Sequence, residues 1–258
     1  MMQKTLIAAA ASLLIATPTF AADLPVKAPR AAPVAAAVYN WTGFYIGGHV
    51  GYGWGETDST ILEDSVAFPA GTVNTNKFDG FLAGGQIGAN YQTGQWVFGV
   101  EADFSWADIN GNDVHPAVNP VARRSETSSD VNWVIALTGR LGITTGPALF
   151  YVKGGGAWAD FESHSHTINT NNGDITQATS GGETRFGWTV GGGLEYAFGA
   201  NWSAKVEYNY LDFGTERVTR SGFNFVQNQP VTNERDADTH LHIVKFGINY
   251  RFGVGGRY

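Results

Sequence analysis

Along "WTVGGGLEYAFGANWSAKVEY", residues 188–208, large apolar and small or charged positions alternate with a period of two. Trp188, Val190, Leu194 and Tyr196 fall on one face, and Thr189, Gly191, Gly193 and Glu195 on the other. After "AFGAN" the alternation resumes, with Trp202, Ala204, Val206 and Tyr208 against Ser203, Lys205 and Glu207. A period of two is that of a β-strand with unlike environments on its two faces. The same pattern recurs over residues 43–54, 81–91, 96–106, 131–143, 149–158 and 241–252, which makes eight predicted strands in all. In 96–106 the apolar face holds Trp96, Phe98, Val100, Phe104 and Trp106, opposite Glu101 and Asp103. In 241–252 it holds Val244, Phe246, Ile248, Tyr250 and Phe252, opposite Lys245, Asn249 and Arg251.

The connections alternate too. "QTGQ", "TTGP" and "AFGAN" are short, whereas 55–80, 107–130, 159–185 and 211–240 are long and polar. An even number of strands, with short turns on one rim and long connections on the other, predicts an all-β, eight-stranded, antiparallel up-and-down transmembrane β-barrel with periplasmic turns and extracellular loops. A soluble barrel alternates as well, with its apolar side inward. Size decides between them. The bore of eight strands is only just filled by side chains, so rings from eight segments do not fit inside. Placed outside, they would aggregate in water and are at home in lipid. Several apolar faces begin and end on rings: Phe44 and Trp54, Phe81 and Tyr91, Trp96 and Trp106, Trp202 and Tyr210, with Tyr250 and Phe252 closing the last. These ten are the expected lipid-interface aromatics.

The opening of the chain reads as an export signal over 1–21: Lys4, then an apolar stretch, then "TFA" ending at Ala21. Residues 22–40 form a Pro/Ala-rich linker and 41–258 the barrel domain. Composition agrees with the strands, with 34 Gly, 8 Trp, 10 Tyr and 16 Phe in 258 residues. The absence of cysteine rules out disulfides, thiol catalysis and cysteine metal sites, and the net charge of −7 argues against nucleic acid as a partner.

Candidate chemistry is sparse. The predicted lumen face collects Glu101, Asp103, Glu195 and Glu207 with Arg140, Lys153, Lys205, Lys245 and Arg251. This cluster reads either as the lining of a narrow gated pore or as a salt-bridged plug. His164 and His166 in "SHSH", with His240 and His242, are weak candidates for haemin, while His49 points into the lumen. Ser, His and acidic residues show no triad spacing, and no helix follows either "GGG" to make a phosphate site. The expectation is a non-enzyme without cofactor or metal.

"NWTGFYIGGHVGYGWG", "AGGQIGANYQ", the long 187–214 stretch and "VKFGINYRF" closely resemble the alphaproteobacterial outer-membrane immunogen family, a porin-like branch of the OmpA-like eight-stranded barrels. "AADLPVKAP" after the signal is similar as well. The resemblance implies a place in the bacterial outer membrane among its lipids and lipopolysaccharide, and assembly by the barrel-insertion machinery. It also implies a role as surface antigen, weak porin or binder of haemin or a host ligand. Family members end on an aromatic; here "GVGGRY" follows Phe252, so either Tyr258 takes that role or the extension is tolerated.

Overall fold

The computed structural model describes residues 39–62, 70–116 and 122–252. The expected signal segment, most of the linker and the residues after Phe252 lie outside the described residues. Eight strands follow one another: β1 (Gly43–Ile61), β2 (Val73–Thr93), β3 (Trp96–Pro116), β4 (Arg123–Thr145), β5 (Ala148–Asn169), β6 (Ile175–Ala197), β7 (Trp202–Asn224) and β8 (Gln229–Phe252). Each pairs antiparallel with its neighbours, and β1 pairs with β8 to close the cylinder. The described residues include no helix.

Short turns need special backbone. The β2–β3 and β4–β5 hairpins turn through Gly94 and Gly146, with φ of 60° and 61°. Such values are nearly free to glycine and costly to other residues.

The predicted segments are the membrane-level parts of longer strands. β1 has 19 residues and β8 has 24. Such strands, at about 3.3 Å per residue and a tilt near 45°, rise roughly 50 Å, about twice the apolar band of a membrane barrel. The extra length comes from the long polar connections, most of which continue the ladder instead of looping. "SHSH" therefore lies in β5, not in a loop. The ladder shifts register where outward faces pass from apolar to polar, between Trp106 and Ile109, Val131 and Trp133, and Asp212 and Thr215. Such irregularities add twist and redirect side chains.

Face assignment follows the alternation. Phe81, 74% exposed, and Val100, 59% exposed, point outward with Phe44, Ile87, Phe98, Phe246 and Ile248. The ten interface aromatics all sit on this outer face in two girdles. Phe44 opposes Phe252 and Trp202 opposes Tyr250 at the turn end; Tyr52 opposes Phe81 and Ala83 opposes Trp106 at the other. Tyr250 and Tyr210 are half-buried only by neighbouring rings, Tyr250 at 5.0 Å from both Trp202 and Phe252.

The lumen departs from the expected polar lining. A buried apolar layer of Phe78, Leu82, Ile109, Val134, Leu241 and Ile243 spans it on the extracellular side of the charged residues. A smaller cap of Trp41, Val97, Leu149 and Tyr151 closes the turn end. Inward positions at these levels carry mostly apolar groups because no water or counter-charge is needed where side chains fill the bore.

A charge placed on the outer belt tests this orientation. Val100→Arg, at mid-belt, is expected to destabilise the barrel in lipid vesicles by about 2–4 kcal/mol. Val114→Arg, on β3 beyond the extracellular girdle, leaves it unchanged. Urea unfolding of both variants measures the difference.

Candidate functional site

The charged lumen residues meet in one layer. Lys153 donates to Glu101 at 2.8 Å and to Glu207 at 2.9 Å. Lys205 lies between the same two carboxylates, at 3.1 Å from Glu101 and 3.4 Å from Glu207. Arg140 reaches Glu195 at 2.9 Å, and Lys245 reaches Asp103 at 2.5 Å. These residues come from β3, β4, β5, β6, β7 and β8, and alternation points each inward. All are buried, Glu101 and Glu207 to 1% exposure. A charge so far from water persists only with partners, and each has them.

Arg251 stands apart. Its guanidinium lies over the rings of Tyr39 and Trp41, at 4.3 and 5.3 Å, and so belongs to the aromatic cap. The cap is pinned by the Trp41 indole, which donates to Thr144 at 2.9 Å.

Several members escaped the sequence reading. Tyr45 donates to Glu101 at 2.8 Å, and Tyr151 donates to Glu207 at 2.7 Å. In both pairs tyrosine and glutamate are separated by 56 residues. That repeated spacing was the available signal: "FY" and "VE" each occur twice, at Tyr45 and Tyr151 and at Glu101 and Glu207. Arg140 also lies over the Tyr151 ring at 4.0 Å and donates to Tyr45 at 3.1 Å. Asn249 and Ser203 donate to Glu195 at 2.9 and 2.6 Å. His49 is inside, bonded to Gln86 at 2.6 Å and Ser105 at 2.8 Å. The glycines of "GGG" at 191–193 serve this layer. A Cβ on Gly193 would press on the Tyr151 ring, and one on Gly191 on Asn209.

The four candidate histidines do not converge. His164 and His166 project outward from β5, and His240 and His242 from β8, three strands away. His242 stacks on Trp54 with centroids 5.6 Å apart and bonds Tyr208 at 2.7 Å. His240 bonds Tyr210 at 3.1 Å. With Asp212 and Asp238, His240 offers three ligand atoms within 4.8 Å of one another, a set able to hold a metal ion. Histidine spacing could not reveal it, since Asp212 arrives from β7.

A closed eight-stranded cylinder with a lipid-facing apolar belt, two aromatic girdles and an ion-paired interior is an integral outer-membrane β-barrel. The chain belongs to the outer membrane protein beta-barrel domain family, whose model matches residues 7–252. It is 32% identical over 256 residues to the 31 kDa outer-membrane immunogenic protein of Brucella melitensis, covering 96% of this chain and 100% of that one. It is 31% identical over 254 residues to the 25 kDa outer-membrane immunogenic protein of Brucella abortus, covering 96% and 98%. Among solved structures, the outer membrane protein OprG from Pseudomonas aeruginosa aligns at 12% identity with a TM-score of 0.42, covering 83% of this chain and 98% of that one.

Removing one partner from the ion-pair layer strands buried charge. Glu101→Ala, which leaves Lys153 and Lys205 with an acid missing, is expected to cost about 3–5 kcal/mol. Arg217→Ala breaks the exposed pair with Asp236 and should leave the unfolding midpoint where it is. Urea unfolding in vesicles reads both.

Proposed function

We propose that the protein is a non-enzymatic, non-conducting surface barrel: an anchor whose lumen is sealed and whose outward-extended strands form the exposed face. The observation that carries this reading is the lumen itself. An ion-paired layer lies between an aromatic cap on one side and an apolar layer on the other. A conducting pore needs continuous water, and a gate needs charge free to move. Lys153 and Lys205, each held between two glutamates, have no such freedom. Relatives named as outer-membrane immunogenic proteins accord with a face presented to the outside. The serine–histidine contact of the lumen, Ser105 with His49, is buried in the plug, and the other ring nitrogen of His49 meets Gln86 and not a carboxylate, which supports a non-enzyme. Lipopolysaccharide and membrane lipids are the partners of the outer belt, and the barrel-insertion machinery is the partner during assembly.

Planar-bilayer recording of refolded protein tests the seal. The expected result is no resolved unitary current, for wild type and for Arg140→Ala alike, because the apolar layer survives that substitution. Stable single-channel steps in wild type would overturn the reading and favour weak porin activity.

A second reading, capture of haemin, is favoured by one feature. An outward groove of about 420 Å³ beside the extracellular girdle is lined by Trp54, Tyr210, His240 and His242. Imidazole and phenol beside a flat aromatic wall suit a planar iron macrocycle. Haemin titration followed at the Soret band should then weaken at least tenfold in His240→Ala/His242→Ala and not in His164→Ala/His166→Ala. Equal Soret responses from both double variants remove this groove from consideration.

A further inference from the structure

Above the apolar layer the lumen holds a cavity of about 40 Å³ that the plug does not explain. Arg185 of β6, Arg220 of β7 and Arg235 of β8 line it. It lies beyond the extracellular girdle, Arg220 being ten residues past Tyr210 along β7. Arg220 is only 5% exposed, and its Nε and Nη1 have no hydrogen-bond partner. The guanidinium of Arg235, half-buried, makes no hydrogen bond or ion pair among the described residues. Two acids also line the cavity: Glu183, and Glu162, whose exposed carboxylate stands 4.0 Å from His164. Glu183 accepts from Arg185 at 2.6 Å, and Glu216 stands 4.0 Å from the same side chain.

Buried guanidinium groups without counter-charge are unusual; in the mid-lumen layer Arg140, Lys153, Lys205 and Lys245 each have a carboxylate partner. Burial, with repulsion from Arg235 and Arg185, pushes Arg220 down to about 10 against the weaker opposing pull of Glu183. Burial lowers Arg235 as well. Arg220 thus still carries its charge at neutral pH. The cavity has room for roughly three waters. The fork of a guanidinium matches the paired oxygens of an oxyanion better than any spherical ion. Access is also provided, since β6–β7 pairing is interrupted between Ser180 and Trp188, beside the cavity-lining Gly181, Glu183 and Arg185.

We propose that this cavity is a binding site for a compact inorganic oxyanion, phosphate or sulfate in kind, held by Arg220 and Arg235 with Arg185 at its edge. The volume excludes nucleotides and sugars. The site lies inside the cylinder, so the phosphates of membrane lipids, which meet the outer face, are not its ligand. An oxyanion there satisfies the free Arg220 donors and, with Arg185 at its edge, ties β6 to β7 where their pairing is interrupted.

The test uses the full chain refolded in maltoside micelles, which carry no phosphate. Inorganic phosphate is titrated at constant ionic strength against chloride, by calorimetry and by NMR of arginine Nε–H signals. The proposal expects saturable one-to-one binding and a shift of the Arg220 Nε–H signal. It also expects an affinity loss of at least tenfold in Arg220→Gln and in Arg235→Gln, with Arg217→Gln, on the outer face, unaffected. No saturable binding in wild type, or undiminished binding in Arg220→Gln, overturns it. Heat-modified gel migration shows whether each variant is folded. If Arg220→Gln does not fold, Arg235→Gln and the wild-type Arg220 signal decide.

Discussion

Hydrocarbon offers the backbone no hydrogen-bond partner, and the rest of this molecule follows from that. A strand crossing a bilayer must give every N–H and C=O to another strand, so the sheet has no permissible edge. Here β1 closes on β8 through an unbroken register from Phe44↔Phe252 to Ile61↔Arg235. Closure with eight strands then fixes the bore at a width that side chains must fill. The interior is therefore a packing problem before it is a functional one. The chain solves it in layers: rings at the turn end, ion pairs in the middle, aliphatic groups above, and arginines toward the outside.

The ion-paired layer has a consequence for register. In a two-sided strand, slipping the pairing by one residue exchanges the faces. A slip of β3 would carry Glu101 and Asp103 into lipid and bring Val100 and Phe104 into a bore already occupied. The buried charges thus penalise the wrong register more heavily than apolar groups of equal size would. This is the best-attested use of buried ionic groups, which seldom add net stability over a well-packed apolar core. Tyr45 and Tyr151 reinforce it, since a phenol can donate to a carboxylate only when its strand is correctly placed.

Alternation in the sequence carried most of this architecture, for a physical reason. Lipid on one side and a packed lumen on the other give each strand the strongest two-residue contrast a protein can have. Where that contrast fades, so does legibility. Past Trp54 or Trp106 the outer face meets water, so Glu56, Asp58, Asn110 and Asn112 carry no apolar mark, and the continuing strands read as loops. The aliphatic lumen layer was obscured in the opposite way. Leu241 and Ile243 share the parity of Lys245, and Leu82 that of Gln86, so their inward direction was available. With apolar residues on both faces, the outward ones dominate the pattern. Contacts between distant strands were beyond reach by this route. No periodicity brings Asp212 to His240, or leaves Arg220 without an acid.

The repeated Tyr–Glu pair shows how the two halves of the cylinder depend on each other. β1 and β3 supply Tyr45 and Glu101, and β5 and β7 supply Tyr151 and Glu207 at the same separation. Neither half is neutralised alone. Lys153, from β5, bonds both glutamates at nearly equal distances, and Lys205, from β7, does likewise. Half a barrel would hold Glu101 with both of its lysines missing. The other half would hold Lys153 and Lys205 with one carboxylate between them. The charge is balanced only when the cylinder is complete, at the same moment that closure satisfies the last backbone edge. Two constraints of different origin, one from the solvent of the outer face and one from electrostatics within, are thus met by a single event, and that coincidence favours all-or-none assembly over any partly closed sheet.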